Sequence, residues 1–316
     1  METTNNTLVL EFVLKGFTGG PKVDIIIFTI IMCTFLVILV SNTVIIFVIC
    51  TNKSLHLPMY IFLVSLSLAE TLSNIFVIPK ILDIIIAKQL TISRALCFTQ
   101  SFFYFLLTGS CFLFLGIMSL DRYVAVCHPL RYATIMRKEL CVQLVIGSMM
   151  MICFSLLYPT VMMSTLPFCG QVLDHLFCDG GALMYAICVD TTFLKVYGII
   201  TSGILLTVPL ILTTLSYILI VSTVIKIPSK SGRYKTFSTC ISHLTMVSVV
   251  FGSAIFIEVR PPTYRSVEAN KVVSLGTTML APLVNPFIYT LRNKNVIDVM
   301  KAALRRNRIH TRPRMR

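Results

Sequence analysis

Seven long stretches of the chain are almost free of polar side chains, and the short segments between them hold most of the charge. The stretches cover residues 25–50, 57–86, 96–118, 140–166, 196–225, 237–257 and 272–291. A hydrocarbon layer about 30 Å thick is crossed by roughly 20 apolar residues in helical conformation, so each stretch is predicted to be a spanning helix. Strands that cross a membrane need only about ten residues and alternate in polarity. These runs are continuous, which excludes a barrel. The pattern predicts an all-α membrane protein, a seven-transmembrane helix bundle in one domain: residues 1–24 precede the bundle, 25–291 form it, and a basic tail covers 292–316.

Composition agrees. Of 316 residues 56% are hydrophobic and 13% charged, more apolar side chain than a water-soluble core accommodates. The net charge of +14 would suggest nucleic acid as a partner in a soluble protein, but its placement speaks for a membrane. With the amino terminus extracellular, 18 of the 27 basic residues fall on the cytoplasmic side, as retention of positive charge there requires. The partner for that charge is then anionic membrane lipid, not nucleic acid. The first 20 residues lack the basic start and apolar run of a cleaved signal, so the first helix is expected to act as its own. Asn5-Asn6-Thr7 is a glycosylation acceptor suited to an outer amino terminus, whereas Asn52-Lys53-Ser54 falls in an inner loop.

The segment between the fourth and fifth stretches is the longest connection and carries Cys169, Cys178 and Cys188, with Cys97 on the same side at the start of the third stretch. An oxidising compartment would pair them, in any of three connectivities. The alternative is a metal site using His175 and Cys178. Beyond the seventh stretch, Val296, Ile297, Met300, Ala303 and Leu304 recur at helical spacing, with Lys301, Arg305 and Arg308 on other positions. A short amphipathic helix along the inner membrane surface is expected.

Polar groups inside the stretches are costly in lipid and therefore informative. Asn42, Glu70 and Asn285 would satisfy one another in a single cluster, either a fixed structural knot or one that rearranges. At the inner end of the third stretch Asp121 and Arg122 stand side by side, about 100° apart around a helix. Arg122 then has two competing satisfactions, the neighbouring carboxylate or groups on the fifth and sixth helices, unless it reaches to lipid headgroups. No phosphate-cradling loop, nucleophile elbow or metal-spaced His/Glu helix is present, so nothing points to an enzyme, a cofactor or a catalytic metal.

Five motifs occur in order: LHLPMY at 55–60, MSLDRYVAVCHPLRY at 118–132, SY at 216–217, KTFSTCISHL at 235–244 and PLVNPFIYTLRN at 282–293. Together with the three-cysteine loop they closely resemble the olfactory receptors, tetrapod-type members of the rhodopsin-like G-protein-coupled receptors, over nearly the whole chain. The resemblance implies an odorant receptor that binds small hydrophobic volatile molecules in the outer half of the bundle. It also implies activation of a stimulatory olfactory-type heterotrimeric G protein, raised cyclic AMP, and residence in the plasma membrane of olfactory cilia. By position, Asp121, Arg122 and Tyr123 match the inner switch, Tyr217 and Tyr289 the tyrosines that rotate toward it, and Lys235 to His243 the start of the moving sixth helix. Cys97 matches the cysteine that pairs with the one matching Cys178, leaving Cys169 and Cys188 for a second bridge. Asn42, Glu70 and Asn285 resemble the cluster that couples pocket to switch.

The chain departs from the family's pattern at Leu120 (usually Tyr), Ser41 (Gly), Glu70 (more often Asp), Phe251 (Tyr) and Glu258 (often aromatic). Helical spacing and resemblance together mark Tyr104, Phe105, Thr108, Gly109, Thr201, Ser202, Leu205, Phe251, Ala254, Ile255, Glu258, Leu275 and Thr278 as pocket-lining candidates. Glu258 would hold an amine or another donor, unless it pairs with Arg260, Arg265 or Lys271. A small-solute transporter or channel, or a chemoreceptor of the same fold outside the nose, are the other readings.

Overall fold

The computed structural model describes residues 9–17, 20–259, 267–292 and 296–299. Nine α-helices and three short strands are formed in the order β1 (Glu11–Leu14), α1 (Pro21–Thr51), α2 (Pro58–Ile86), β2 (Thr91–Ser93), α3 (Arg94–Cys127), α4 (Tyr132–Ile135), α5 (Lys138–Thr165), β3 (Val172–Leu173), α6 (Gly180–Ala186), α7 (Thr192–Ile225), α8 (Lys230–Val259) and α9 (Val267–Arg292) among the described residues. The seven predicted spans are α1, α2, α3, α5, α7, α8 and α9. Six carry a window long and apolar enough to cross a membrane. In α8 the apolar helix among the described residues is the shorter Cys240–Phe256.

Local chemistry sets the helix starts. Pro21 and Pro58 occupy the first turns of α1 and α2, where a missing N–H costs nothing. Ser93 caps α3 by accepting from the Leu96 N–H at 3.3 Å. Inside the helices prolines have the opposite effect, since each deprives the carbonyl four residues earlier of its donor. Neighbouring helices supply the replacement at three sites. Pro286 frees the Pro282 carbonyl, which accepts from Asn42 Nδ2 of α1 at 3.1 Å. Pro282 frees the Thr278 carbonyl, which accepts from Asn74 Nδ2 of α2 at 3.4 Å. Pro159 frees the Ser155 carbonyl, which accepts from the Tyr197 hydroxyl of α7 at 2.8 Å. The breaks in helical bonding thus become interhelical bonds.

Burial picks out the inward faces. On α1 the buried positions Ile31, Phe35, Ile38, Asn42, Ile45 and Ile49 recur every three or four residues, while Ile26, Ile30, Val40, Val44 and Phe47 are exposed, as lipid-facing side chains are. α3 runs through the centre, and at Gly116 it approaches Pro209 of α7 so closely that a Cβ would lie 2.9 Å from the proline ring.

The sequence did not lead us to expect a sheet. One end of the bundle is closed by three strands in the order β2-β1-β3, with β1 antiparallel to β2 (Phe12 opposite Ile92) and parallel to β3 (Leu14 opposite Leu173). Phe12 and Leu14 are fully buried. Two disulfides lie at this end, Cys97–Cys178 and Cys169–Cys188. The sulfur of Cys178 is therefore committed, and the metal alternative with His175 fails; among the described residues no cluster of three His, Cys, Asp or Glu could hold a metal. Lys271, buried at the start of α9, ties the end together through Asp174 (2.9 Å), Glu268 (3.0 Å) and the Gly16 carbonyl (3.0 Å). Arg94 clamps the last turn of α5 through the Ser164 and Leu166 carbonyls at 2.7 and 3.1 Å.

Candidate functional site: a buried hydroxyl pair and a polar switch end

At the disulfide-bearing end, the segment after β3 folds into the bundle. Leu176 and Phe177 are fully buried in a cluster with Ile31, Ile78, Ile81, Tyr104 and Met279, against which Phe105 and Leu275 pack. The Phe177 ring tilts over Tyr104 with centroids 4.9 Å apart, and Phe105 meets Tyr104 edge-on at 5.2 Å. Beneath them the Tyr104 hydroxyl of α3 bonds the Thr278 hydroxyl of α9 at 2.9 Å. Gln100 holds the loop in place, accepting from the Cys178 N–H at 3.0 Å and donating to the Phe76 carbonyl at 2.9 Å. In the same loop burial lowers the pKa of His175 below its ordinary 6.5, and its ring lies edge-on to Phe177 at 4.6 Å.

The thirteen pocket candidates divide. Tyr104, Phe105, Thr108, Leu275 and Thr278 gather at this place. Gly109 instead sits in a helix contact, where a Cβ would lie 3.2 Å from Leu205 and 3.3 Å from Ile152. Thr201 is half-buried with its hydroxyl bonded to the Tyr197 carbonyl, and Ser202 is exposed with its hydroxyl bonded to the Ile199 carbonyl. Phe251 is buried deeper, edge-on to Phe112 at 5.4 Å. Ala254 is half-buried and Ile255 exposed. The side chain of Glu258 lies outside the described residues; of its suggested partners, Lys271 is engaged with Asp174 and Glu268.

Midway along the bundle Asn285 Nδ2 donates to Glu70 Oε1, while Asn42 and Asn74 donate to the proline-freed carbonyls of α9. Glu70 and Asn285 thus satisfy one another, whereas Asn42 turns to the Ile38 and Pro282 carbonyls and bonds neither of them. Asn74, one turn beyond Glu70, donates to the Glu70 and Thr278 carbonyls and is recognisable only once Pro282 is seen opposite.

At the other end Asp121 does not pair with Arg122. Its carboxylate accepts from the Tyr132 hydroxyl at 2.8 Å, because Tyr132 begins α4, folded back against the last turns of α3. Arg122 lies close enough to act electrostatically on Asp121 and Tyr132 as well as on Cys240 and His243 of α8. His243 Nε2 donates to the Leu115 carbonyl of α3 at 3.2 Å, so its Nδ1 accepts from the Tyr217 hydroxyl of α7 at 3.0 Å. One imidazole therefore joins α3, α7 and α8. Tyr123 bonds His128 at 3.2 Å. The side chains of Lys235 and Tyr289, and the glycosylation acceptor Asn5, lie outside the described residues. Val296 and Val299, from the predicted tail helix, pack on the central core.

A bundle of seven long helices, a buried Glu–Asn bond at mid-depth and adjacent Asp and Arg residues at one end define a rhodopsin-like membrane receptor. Squid rhodopsin has the same fold, with a TM-score of 0.73 over 91% of this chain and 87% of that one at 13% identity. The family model for olfactory receptors matches residues 31–307. Human olfactory receptor 6X1 is 40% identical over 95% of this chain and 96% of its own length. Human olfactory receptor 10J5 is 41% identical over 97% and 99%, and human olfactory receptor 6S1 42% identical over 94% and 90%. The chain belongs to the olfactory receptor family, and is a multi-pass membrane protein.

Proposed function

We propose that the protein binds a small, mostly apolar odorant beside Tyr104, Phe105, Thr108, Leu275 and Thr278, under the loop residue Phe177, and answers it by activating a stimulatory heterotrimeric G protein that raises cyclic AMP. The observation that carries the reading is the Tyr104–Thr278 pair: two hydroxyls closed in by aromatic and aliphatic side chains, at the end opposite Arg122. Burial of an apolar ligand there contributes about 25 cal/mol per Å², and a hydroxyl fixes its orientation. In this reading the disulfide-bearing end faces outward, where bridges persist, and the end with Arg122, Arg131, Arg137 and Lys138 faces the cytosol and its anionic lipid. Leu130, 99% exposed among those basic residues, is an apolar knob that suits a docking protein.

Activation is a shift toward the arrangement that ligand and G protein both bind better. In this structure Tyr132 holds Asp121 and His243 holds α8 to α3 and α7, so opening the cytosolic end must break the His243 bonds. Cilia of olfactory neurons are the site of action the family suggests. The test is ligand-dependent nucleotide exchange and cyclic AMP production across a chemically diverse odorant panel. Arg122→Ala is expected to abolish the response with surface expression and ligand binding retained; a mutant that signals normally removes Arg122 from the switch.

A further inference from the structure

Resting on that binding site, the hydrogen-bond directions within it restrict the ligand further. A carbonyl oxygen only accepts, so the 2.8 Å contact between Thr278 Oγ1 and the Ser274 carbonyl uses the single hydroxyl proton of Thr278. The Tyr104 hydroxyl, 2.9 Å from the same Thr278 oxygen, must then be the donor between the two. The hydroxyls therefore point one way, from Tyr104 to Thr278 and into the α9 backbone. What such a chain offers at its open end is oxygen lone pairs. The charge of Asp179, whose carboxylate caps α6, acts on the same phenol and adds negative potential. Leu176 and Phe177 close the site toward the disulfide-bearing end.

We propose that this receptor selects odorants carrying a hydrogen-bond donor, alcohols above all, over ketones, aldehydes and ethers of the same carbon skeleton. An alcohol donates its proton into the head of the chain and leaves every bond in it intact. At the phenol a ketone or ether can be served only by turning the Tyr104 proton away from Thr278, which breaks a buried hydrogen bond.

The test uses matched sets on the full-length receptor: cyclohexanol, cyclohexanone and methoxycyclohexane; benzyl alcohol, benzaldehyde and benzyl methyl ether; menthol, menthone and menthyl methyl ether. Half-maximal concentrations for nucleotide exchange are expected to be about tenfold lower for the alcohol in each active set, the factor of roughly one buried hydrogen bond. Thr278→Val removes the acceptor, frees the Tyr104 proton, and is expected to raise the potency of ketones and ethers until the gap closes or reverses. Tyr104→Phe is expected to weaken alcohols alone, and it serves if the valine variant does not reach the surface. Equal potency of alcohol and ketone in the wild type, or an unchanged alcohol preference in both surface-expressed variants, overturns the proposal. So does silence toward every alcohol: if ketones or ethers still act, the receptor reading survives without it, and if no odorant of any class evokes exchange, both fall.

Discussion

The bond between Tyr197, in the second turn of α7, and the Ser155 carbonyl, 2.8 Å long, isolates the effect of a proline inside a lipid-embedded helix. Pro159 cannot donate to Ser155, and lipid cannot either, so the α7 hydroxyl is the replacement donor. Tyr197→Phe keeps the ring and its packing near Tyr158, 5.8 Å away between centroids, and removes only the donor. Interhelical hydrogen bonds in membranes average about 0.6 kcal/mol and reach about 1.7. An orphaned carbonyl with no other donor belongs at the upper end, so the loss expected is about 1.5 kcal/mol, a fall of roughly 3–6 °C in the melting temperature at the 2–4 °C per kcal/mol of a large domain. In a Pro159→Ala background residue 159 donates again, and Tyr197→Phe is expected to cost about 0.5 kcal/mol or less. The measurement is a double-mutant cycle by thermal unfolding in detergent, with the coupling between the two sites as readout. Equal costs of Tyr197→Phe in both backgrounds would refute the idea that the tyrosine serves the proline.

Two further outcomes follow from contacts at the ends of the bundle. His175 is held below 6.5 by burial, so its neutral form belongs to the folded loop; stability is retained above that value and lost as pH falls below it, when the unfolded loop takes up the proton first. Protease resistance of the loop is expected to decline from pH 7 toward pH 5 in the wild type and to stay flatter in His175→Asn, and parallel profiles would rule His175 out. Tyr132→Phe removes the hydroxyl that occupies Asp121, leaving that carboxylate to Arg122. Basal cyclic AMP is expected to change by a few-fold at equal surface expression, the size of effect that about 1 kcal/mol of buried hydrogen bond allows; an unchanged basal level would show that Asp121 does not bias the switch.

The spans were legible because lipid demands long apolar runs, and Arg122 because a charge among such runs is conspicuous. Which face of each span turns inward was not legible in α1, where nearly every position is apolar and Ile38 cannot be told from Val40 without its neighbours. The apolar run of α3 ends at 118, yet the helix continues to Cys127, since backbone hydrogen bonds hold a helix past the hydrocarbon boundary. Strands of two to four residues are too short to show alternation, which hid the sheet. Asn42 was conspicuous as a polar group in lipid, but its bond to the Pro282 carbonyl joins residues 240 apart, and no local pattern contains that pairing. Of the residues gathered around the Tyr104–Thr278 bond, Tyr104, Phe105 and Thr278 were marked by spacing and resemblance, while Phe177 was not, because a loop that folds back into a bundle leaves no periodicity.

The order in which the capping sheet can be assembled follows from its topology. β1 leaves the ribosome first but takes its place between β2 and β3, and β3 lies beyond the fourth span. At about 5–20 residues per second, Phe12 and Leu14 wait on the order of ten seconds or longer before their partners are synthesised. Throughout that interval they are exposed apolar residues on a tethered amino-terminal segment, a natural client for chaperones. Closure of this end of the bundle therefore waits for synthesis of the loop beyond the fourth span.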